Sequence, residues 1–330
     1  MGGISGTMRA AACCAALLLG CGSPARPPAQ SPRYPHSGDF AQQLAFGNAT
    51  RTYVLHLPPD YARHVPLPLV VAFHGGGGDA AAFQRAAKLD AQADALGWAV
   101  VYPDGTGHWD RRLLTWNAGS CCGSAQEDRV DDVGFVLALL ADLARDLDLD
   151  ATRVYAVGHS NGGMMAYRLA SAAPSHIAAV ASVAGPDMTE RGGSGPAVPV
   201  LHIHSVDDPR ANYDGGQAKV LAFVSHYVEF RSVDETLSRW RDRDGCTGAG
   251  RVVEERKVEL HSAELIDFGP CTGGSDVMLW RLHGAGHGWP GGKSQLPKKL
   301  VGPDTHVIRA TDEIFHFLAR FRRDDAAPLR

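Results

Sequence analysis

The chain has 330 residues, of which 45% are hydrophobic, and its formal net charge at pH 7 is −4. This length and composition are enough for a large buried core, in one big α/β domain or in two smaller domains. The net charge is small for this length, and acidic and basic residues are interspersed along the chain. Nothing therefore indicates binding to nucleic acid or to an anionic membrane surface.

The N-terminus has the pattern of a bacterial export signal. Arg9 precedes an apolar run at residues 10–19, which is too short to span a bilayer as a permanent helix. The letters LLGC that end at Cys21 resemble a lipobox, in which this cysteine becomes the acylated first residue of the mature protein. We therefore predict a signal peptide over residues 1–21 and an exported lipoprotein that meets the membrane only through its lipid. An ordinary cleaved signal is the alternative.

The rest of the chain divides by composition into three parts. Residues 22–37 are rich in Pro, Ser and Ala, which predicts a disordered tether. Residues 38–323 carry periodic apolar patterns without an internal repeat and predict a single domain. Residues 324–330 are left as a C-terminal tail.

The predicted helices and strands are identified from continuous apolar runs and from runs in which apolar and polar residues alternate. Strands are predicted at residues 51–57, 67–74, 98–102, 153–157, 178–183, 198–204 and 277–282. Helices are predicted at residues 80–95, 130–149, from 164 onward, and 307–321. This alternation predicts the α/β class with a mostly parallel, doubly wound sheet. Asp131 and Asp132 are interpreted as caps of their helix, with a contact to the loop around residues 121–123 as the alternative.

The segment Gly158–Gly162 reads GHSNG, which matches the pattern G-x-S-x-G between a strand and a helix. A nucleophile on so sharp a turn needs small neighbours, because the strand and the helix approach closely there. Ser160 is therefore the candidate nucleophile, and the backbone amide of Asn161 would face the reacting carbonyl. A Gly-rich turn whose serine only caps the helix is the alternative.

A serine nucleophile needs a base and an acid that orients the base, and in α/β-hydrolase sites these follow in the order Ser, acid, His. Asp207 and Asp208 come directly after the strand at residues 198–204, and we favour Asp208 as the acid. A charged loop that caps the next segment is the alternative.

The base is expected after the last predicted strand, where the chain reads GAGHGWP. His287 is the candidate base, with His283 as its rival, and Trp289 is predicted to form a wall of the substrate pocket. The H-x-H pair of His202 and His204 lies on one face of a strand, but no carboxylate or cysteine cluster completes a metal site, so no metal is predicted.

The run HGGGG at residues 74–78 follows a buried strand and matches the loop that donates amides to an oxyanion. We expect the amide of Gly76 to act with that of Asn161, and Gly75 is the second choice. A phosphate-binding loop is disfavoured, because no Lys-Ser/Thr pair follows at the required spacing.

Seven segments carry a resemblance to a known family: HGGGG (74–78), YPDGTG (102–107), WNAGSCCG (116–123), VDDVGF (130–135), VGHSNGGMMAYRLA (157–170), HSVDDP (204–209) and GAGHGWPGG (284–292). Through these segments the chain resembles the polyhydroxybutyrate-depolymerase/feruloyl-esterase family, and the resemblance covers nearly all residues from Thr52 to Phe321. The resemblance implies an α/β-hydrolase fold, extracellular ester hydrolysis and no cofactor.

The resemblance places the family's nucleophile on Ser160, its acid on Asp208 and its base on His287. Two motifs depart from the family pattern. The acid loop reads HSVDDPRANY where relatives have HGTxD, so the choice between Asp207 and Asp208 stays open. The HGGGG loop is richer in glycine than in many relatives, which leaves the donating amide open.

Export changes the interpretation of the cysteines. Cys121, Cys122, Cys246 and Cys271 follow the signal, and an even number in an oxidising compartment predicts disulfides with three possible connectivities. We favour Cys246–Cys271, and the resemblance supports this pairing because the family often has cysteines near both positions. The adjacent Cys121 and Cys122 would then pair with each other or remain free thiols.

The sequence thus predicts an exported serine esterase that acts through an acyl-enzyme on Ser160. Its partner would be a small or polymeric ester, with feruloylated or acetylated plant polysaccharide and short polyhydroxyalkanoate esters as leading candidates. A serine peptidase on the same fold and a non-catalytic surface lipoprotein on a hydrolase scaffold are the alternatives.

Overall fold

The computed structural model describes residues 1–3, 33–63, 66–108, 112–190, 195–219, 227–292, 294 and 297–329. Its strands are β1 (Gly38–Phe46), β2 (Ala49–Leu57), β3 (Leu67–Phe73), β4 (Ala99–Pro103), β5 (Leu149–His159), β6 (Ala179–Val183), β7 (Val200–Ser205), β8 (Gly216–Lys219), β9 (Tyr227–Phe230), β10 (Arg251–Val258), β11 (His261–Asp267) and β12 (Val277–His283). Its α-helices are α1 (Ala80–Ala87), α2 (Leu89–Leu96), α3 (Gly123–Glu127), α4 (Asp132–Asp146), α5 (Asn161–Ala172), α6 (Val233–Asp244), α7 (Lys298–Val301) and α8 (Ala310–Leu318).

One large sheet organises the described part of the chain. Its strand order is β1-β2-β4-β3-β5-β6-β7-β12-β11-β10. The central strands from β4 to β12 in this order pair in parallel, whereas the pairs at both edges are antiparallel. The predicted mostly parallel, doubly wound sheet is therefore confirmed.

Both faces of this sheet are covered, which explains why its central strands are continuous apolar runs. In β3, Leu69 and Val71 pack into the core on one face, and Val70 and Ala72 pack into the core on the other. The first core includes side chains of α4, α5 and α6, and the second includes side chains of α1, α2 and α8. Alternate residues of a strand point to opposite faces, so every position of β3 is buried.

The helix predicted at residues 80–95 is two helices in the structure. Lys88 ends α1 and precedes α2 with a left-handed backbone, at φ 53° and ψ 42°. The exposed Lys88 lies between Ala87 and Leu89, which are both buried. A continuous helix would turn one of these two neighbours away from the core, so the break allows both to be buried.

A second difference concerns residues 206–276, where the sequence analysis predicts no element. The structure has the β8–β9 ribbon, the helix α6 and the antiparallel strands β10 and β11 there. Nearly every residue of β10, which reads RVVEERKV, is exposed, so this strand lacks the alternation that marks one buried face.

The packed body extends beyond the predicted boundaries at residues 37 and 323. Tyr34 is fully buried, and Arg33 donates a hydrogen bond of 2.7 Å to Asp142 of α4. At the other end Leu329 is buried, and the amide of Ala327 donates to the carbonyl of Ser175 at 2.8 Å. The last part of the predicted tether and the predicted tail are therefore part of the folded body.

The proposed lipid-bearing residue Cys21 and most of the predicted signal and tether lie outside the described residues. Among the residues that the structure does describe, no helix combines the length and the hydropathy that crossing a membrane requires.

The two acids at the start of α4 have different partners. Asp131 accepts a hydrogen bond from the amide of Gly134 and caps the helix, as the sequence analysis expects. Asp132 is fully buried and pairs with Arg51 of β2 at 2.8 Å, and its other oxygen accepts from the amide of Asn117 at 2.8 Å. Asp132 therefore joins β2 to the WNAGSCCG segment, which fits the alternative interpretation.

We expect Asp132→Ala to lower the free energy of unfolding by about 3–5 kcal/mol, because it leaves the buried guanidinium of Arg51 without its charged partner. The matched control Asp131→Ala removes only a helix cap and is expected to cost about 1 kcal/mol. Urea denaturation followed by tryptophan fluorescence measures both values. Equal losses in the two variants would contradict the assignment of the buried pair.

Candidate active site

Ser160 occupies a sharp turn between the end of β5 and the start of α5. Its backbone has φ 54° and ψ −123°, a conformation that residues with a side chain rarely adopt. The turn is held because the amide of Ser160 donates to the carbonyl of Val183 in β6 at 2.7 Å. A Cβ on Gly158 would collide with the carbonyl of Gly162, and a Cβ on Gly162 would collide with the carbonyls of Phe73 and His74, so both positions require glycine.

Three side chains from distant segments meet above this turn. His287 Nε2 lies 2.8 Å from Ser160 Oγ, and His287 Nδ1 lies 2.7 Å from Asp208 Oδ2. They follow β5, β7 and β12, whose parallel pairing brings their carboxyl ends to one edge of the sheet. The structure thus brings together the nucleophile, acid and base residues that the sequence predicts.

The two neighbouring acids have different surroundings. Asp208 is buried, and its Oδ1 accepts hydrogen bonds from the amides of Arg210 and Ala211 at 2.7 and 3.0 Å. Asp207 is exposed, and its carboxylate accepts from the amide of Gly284 at 2.7 Å. Asp208 is therefore the acid that faces the imidazole, while Asp207 connects the acid loop to the segment that carries His287.

The charge of Asp208 is well compensated. Burial by itself raises the pKa of Asp208, but the charge of His287, the nearby imidazole of His204 and the hydrogen bond from His287 outweigh burial. Together they hold the pKa of Asp208 well below its ordinary value of 3.8. The carboxylate therefore stays ionised in the folded protein throughout the neutral and weakly acidic range.

The HGGGG loop follows β3 and lies beside the turn of Ser160. The amides of Gly77 and Gly78 donate to the carbonyls of Leu114 and Gly75 at 2.8 and 3.0 Å. These bonds leave the amides of Gly75 and Gly76 as the loop's candidates for an oxyanion. A Cβ built on Gly76 would lie 3.6 Å from the Cβ of Asn161, so Gly76 is adjacent to the residue that follows the nucleophile.

Asn161 is fixed by its own side chain. Its Oδ1 accepts from the amide of Trp116 at 2.7 Å, and its Nδ2 donates to the carbonyl of Trp116 at 3.0 Å. The buried indole of Trp116 donates to the carbonyl of His74 at 3.0 Å, so Trp116 connects both predicted amide sources. The sequence analysis did not find this connection.

A pocket of about 370 Å³ opens at Ser160. Trp289 lines it, as expected, and its indole donates to Thr311 Oγ1 at 3.1 Å. Polar residues such as Asp79 and Arg210 also line it, together with large apolar side chains from distant segments: Phe83, Leu113, Met164, Phe230 and Val301. No single sequence motif joins these residues, so the sequence analysis missed them.

His159, the residue before the nucleophile, also lines the pocket. Its Nε2 lies 2.7 Å from the carbonyl of His287, which accepts a hydrogen bond from it. Burial and the charge of His287 lower the pKa of His159 to about 4, so His159 is neutral at neutral pH. It therefore holds the backbone of His287 in place. The rival base His283 is the last residue of β12 and pairs with Ser262 in the sheet.

The four cysteines that follow the predicted signal are paired. The sulfurs of Cys246 and Cys271 are bonded at 2.02 Å, in the pairing that the sequence analysis favours. Cys121 and Cys122 are bonded to each other, and Cys122 lines the pocket beside Met164.

Potential metal ligands among the described residues are engaged in hydrogen bonds. His202 and His204 bond to each other at 3.0 Å rather than presenting free nitrogens. Asp39, His56 and Asp90 have ligand atoms within 4.8 Å of one another. In that group His56 already bonds to Asp39 at 2.6 Å, so a network of hydrogen bonds accounts for the arrangement.

Comparison with known proteins connects this geometry to a family. The profile of the family described as Esterase PHB depolymerase matches residues 51–230. The chain is 32% identical over 292 residues to the protein named "Putative esterase NocK" of Nocardia uniformis subsp. tsuyamanensis, covering 84% of this chain and 82% of that protein. The chain belongs to this esterase family. The resemblance stated from its motifs is thereby confirmed.

Other members of the comparison carry related names. Feruloyl esterase B of Piromyces equi is 26% identical over 74% of this chain, and the bifunctional acetylxylan esterase/xylanase XynS20E of Neocallimastix patriciarum is 28% identical over 67%. The chain covers only 44% and 28% of the lengths of these two proteins.

Among solved structures, the acetyl xylan esterase from Aspergillus awamori matches with a TM-score of 0.54 and 13% identity, over 85% of this chain and 99% of that one. At this identity the match shows the fold alone, which is the α/β-hydrolase fold that the sequence predicts.

For this esterase we expect Asp208 to make stability depend on pH. The folded protein keeps Asp208 ionised at pH values where the unfolded chain takes up a proton, so the free energy of unfolding falls as the pH drops below about 4. We expect this fall to be less steep in Asp208→Asn. Urea denaturation between about pH 5 and pH 3 measures the slope.

The control for this experiment is Asp207→Asn, which alters the neighbouring exposed carboxylate and should keep the wild-type slope. Identical slopes in all three proteins would show that Asp208 has an ordinary pKa in the folded state.

Proposed function

We propose that this esterase is a serine hydrolase of carboxylic esters that acts through an acyl-enzyme on Ser160. The observation that carries the proposal is the continuous line of hydrogen bonds from Asp208 through His287 to the hydroxyl of Ser160, with distances of 2.7 and 2.8 Å. This line ends in the pocket, so an ester carbonyl can reach the hydroxyl.

The chemistry follows from the atoms in this line. His287 Nε2 takes the proton of Ser160 Oγ while this oxygen bonds to the ester carbonyl carbon. Asp208 accepts the hydrogen bond of His287 Nδ1–H and stabilises the imidazolium that forms. The imidazolium then gives its proton to the leaving alcohol, and a water molecule activated by His287 releases the acid from Ser160 in the second half of the reaction.

The negative charge that develops on the carbonyl oxygen needs donors that are already in position. We propose the amides of Gly76 and Asn161 for this role, because these residues are adjacent and line the same pocket as Ser160. The side chain of Asn161 is held by the backbone of Trp116, which restricts the movement of the first turn of α5.

The pocket and the relatives together suggest the substrate class. Aromatic and aliphatic side chains such as Phe83, Phe230 and Trp289 favour an apolar acyl or alcohol group. Relatives named as feruloyl and acetylxylan esterases support aromatic or acetyl esters of polysaccharide, and the family description adds hydroxybutyrate esters. We propose esters of these kinds rather than peptides as substrates.

We expect Ser160→Ala to lower kcat/KM for p-nitrophenyl butyrate by about 10⁴-fold or more, because the acyl-enzyme cannot form. A fluorophosphonate probe should label wild type at Ser160 and leave the variant unlabelled. Circular dichroism checks that the variant is folded.

The neighbouring histidines provide a matched control: His287→Ala should be nearly inactive, whereas His283→Ala should keep most of the activity. A folded Ser160→Ala protein with more than about a hundredth of the wild-type rate would refute the acyl-enzyme on this residue. Faster cleavage of peptide anilides than of esters by wild type would favour the peptidase alternative.

We further propose that the protein is exported and anchored by a lipid on Cys21. The lipobox pattern supports this, and so do the paired sulfurs of Cys246 and Cys271, because structural disulfides persist in oxidising compartments.

We expect cells that express the full chain to incorporate an alkyne-tagged fatty acid into the protein, and we expect Cys21→Ala to abolish this label. Cys14→Ala, which changes a cysteine inside the apolar run, should retain it. A label that persists in Cys21→Ala, or a mature N-terminus at another residue, would contradict the lipid anchor.

A further inference from the structure

A line of buried polar side chains leads to Asp208 from the interior of the protein. Tyr167 of α5 and His202 of β7 are fully buried, and His204 of β7 is nearly so. Tyr167 Oη lies 2.9 Å from His202 Nδ1, and His202 Nε2 lies 3.0 Å from His204 Nδ1. His204 Nε2 lies 2.7 Å from the carbonyl of Ala211 and 3.4 Å from Asp208 Oδ2. The mechanism above gives these three side chains no role.

The carbonyl at the end of this line determines which nitrogen atoms in the line carry a hydrogen. The carbonyl of Ala211 can only accept, so His204 Nε2 must carry a hydrogen. The arrangement without a buried charge in the line then has His202 Nε2–H donating to His204 Nδ1 and Tyr167 O–H donating to His202 Nδ1. Each hydrogen is then donated to the next group along the line, from Tyr167 to His202, from His202 to His204 and from His204 to the carbonyl of Ala211.

The electrostatics of the line agree with this arrangement. Burial and the neighbouring His204 lower the pKa of His202 well below its ordinary value. Burial raises the pKa of Tyr167 well above its ordinary value. Both side chains therefore remain neutral at physiological pH, as the proposed direction of the hydrogen bonds requires.

We propose that His204 is a positioning residue for the acid Asp208, and that Tyr167 and His202 fix the tautomer of His204 that this role requires. The inference rests on the proposed function, because it concerns the acid of that same site.

His204 acts on the acid by two routes. Its Nε2–H faces the same carboxylate oxygen that accepts from His287, and the 3.4 Å separation makes this an electrostatic contact beside the shorter bond to Ala211. The second route runs through Ala211, whose carbonyl accepts from His204 and whose amide donates to Asp208 Oδ1 at 3.0 Å. His204 therefore fixes the loop residue that in turn fixes the carboxylate.

The test compares two substitutions at His204. We expect His204→Leu to lower kcat on p-nitrophenyl butyrate by about 10- to 100-fold, the range for loss of a hydrogen bond to a charged group, with KM changed by about 2-fold at most. His204→Gln can place an amide N–H near the position of Nε2, so it should recover most of the lost kcat. If His204 only filled space, we would not expect the Leu and Gln variants to differ in kcat while their KM values stay similar.

Two spectroscopic readouts do not depend on turnover. In ¹⁵N-histidine spectra of wild type, His204 should be the Nε2–H tautomer. The downfield proton resonance of His287 Nδ1–H should shift in His204→Leu and return toward its wild-type position in His204→Gln. If wild type does not hydrolyse esters while these spectra behave as expected, the proposed function fails and the positioning role stands.

Tyr167→Phe removes one hydroxyl without a large change in shape, and it decides the question if His204→Leu does not fold. We expect a population of the other tautomer of His202 and a smaller fall in kcat than His204→Leu would give.

The proposal is overturned by a folded His204→Leu with wild-type kcat, by a His204→Gln as slow as His204→Leu, or by an Nδ1–H tautomer of His204. The proposal is also overturned if Tyr167→Phe has the same kcat and the same histidine spectrum as wild type.

Discussion

The backbone conformation of Ser160 is the constraint on which the rest of the site depends. A left-handed φ of 54° at a residue with a side chain costs about 1–3 kcal/mol, so the surroundings must impose it. The carbonyl of Val183 holds the amide of Ser160 from the neighbouring strand β6. Gly158 allows β5 and α5 to approach without a collision, and Gly162 allows α5 to approach the backbone of Phe73 and His74 at the end of β3. As a result the hydroxyl stands at the edge of the sheet, where loops from other strands can reach it.

Parallel pairing then determines which loops reach that edge. The strands β3, β5, β7 and β12 all run in one direction, so the HGGGG loop and the segments that carry Ser160, Asp208 and His287 leave the sheet on one side. Burial of both faces supports this arrangement, because helices cover the sheet and leave only its edges open. The pocket at Ser160 is formed at such an edge, as is usual for parallel sheets.

Buried polar groups are the second constraint on the site. Asp208 lies in the interior as an anion, which is tolerated because two backbone amides and two histidines face its oxygens. The same requirement explains the line from Tyr167 to His204, in which each buried nitrogen has a partner. Arg51 and Asp132 compensate each other's buried charge beside the WNAGSCCG segment.

The sequence by itself determined the central strands, the turn at Ser160 and the family, because local periodicity and short motifs carry that information. It also limited the acid to Asp207 or Asp208. Only the tertiary structure showed that Asp208 faces His287, placed His204 next to Asp208 and supplied Phe230 as a pocket wall. These contacts join residues through the packing of loops whose conformation no local pattern encodes. For the same reason the exposed strand β10, which lacks an apolar face, became visible only when its pairing with β11 was known.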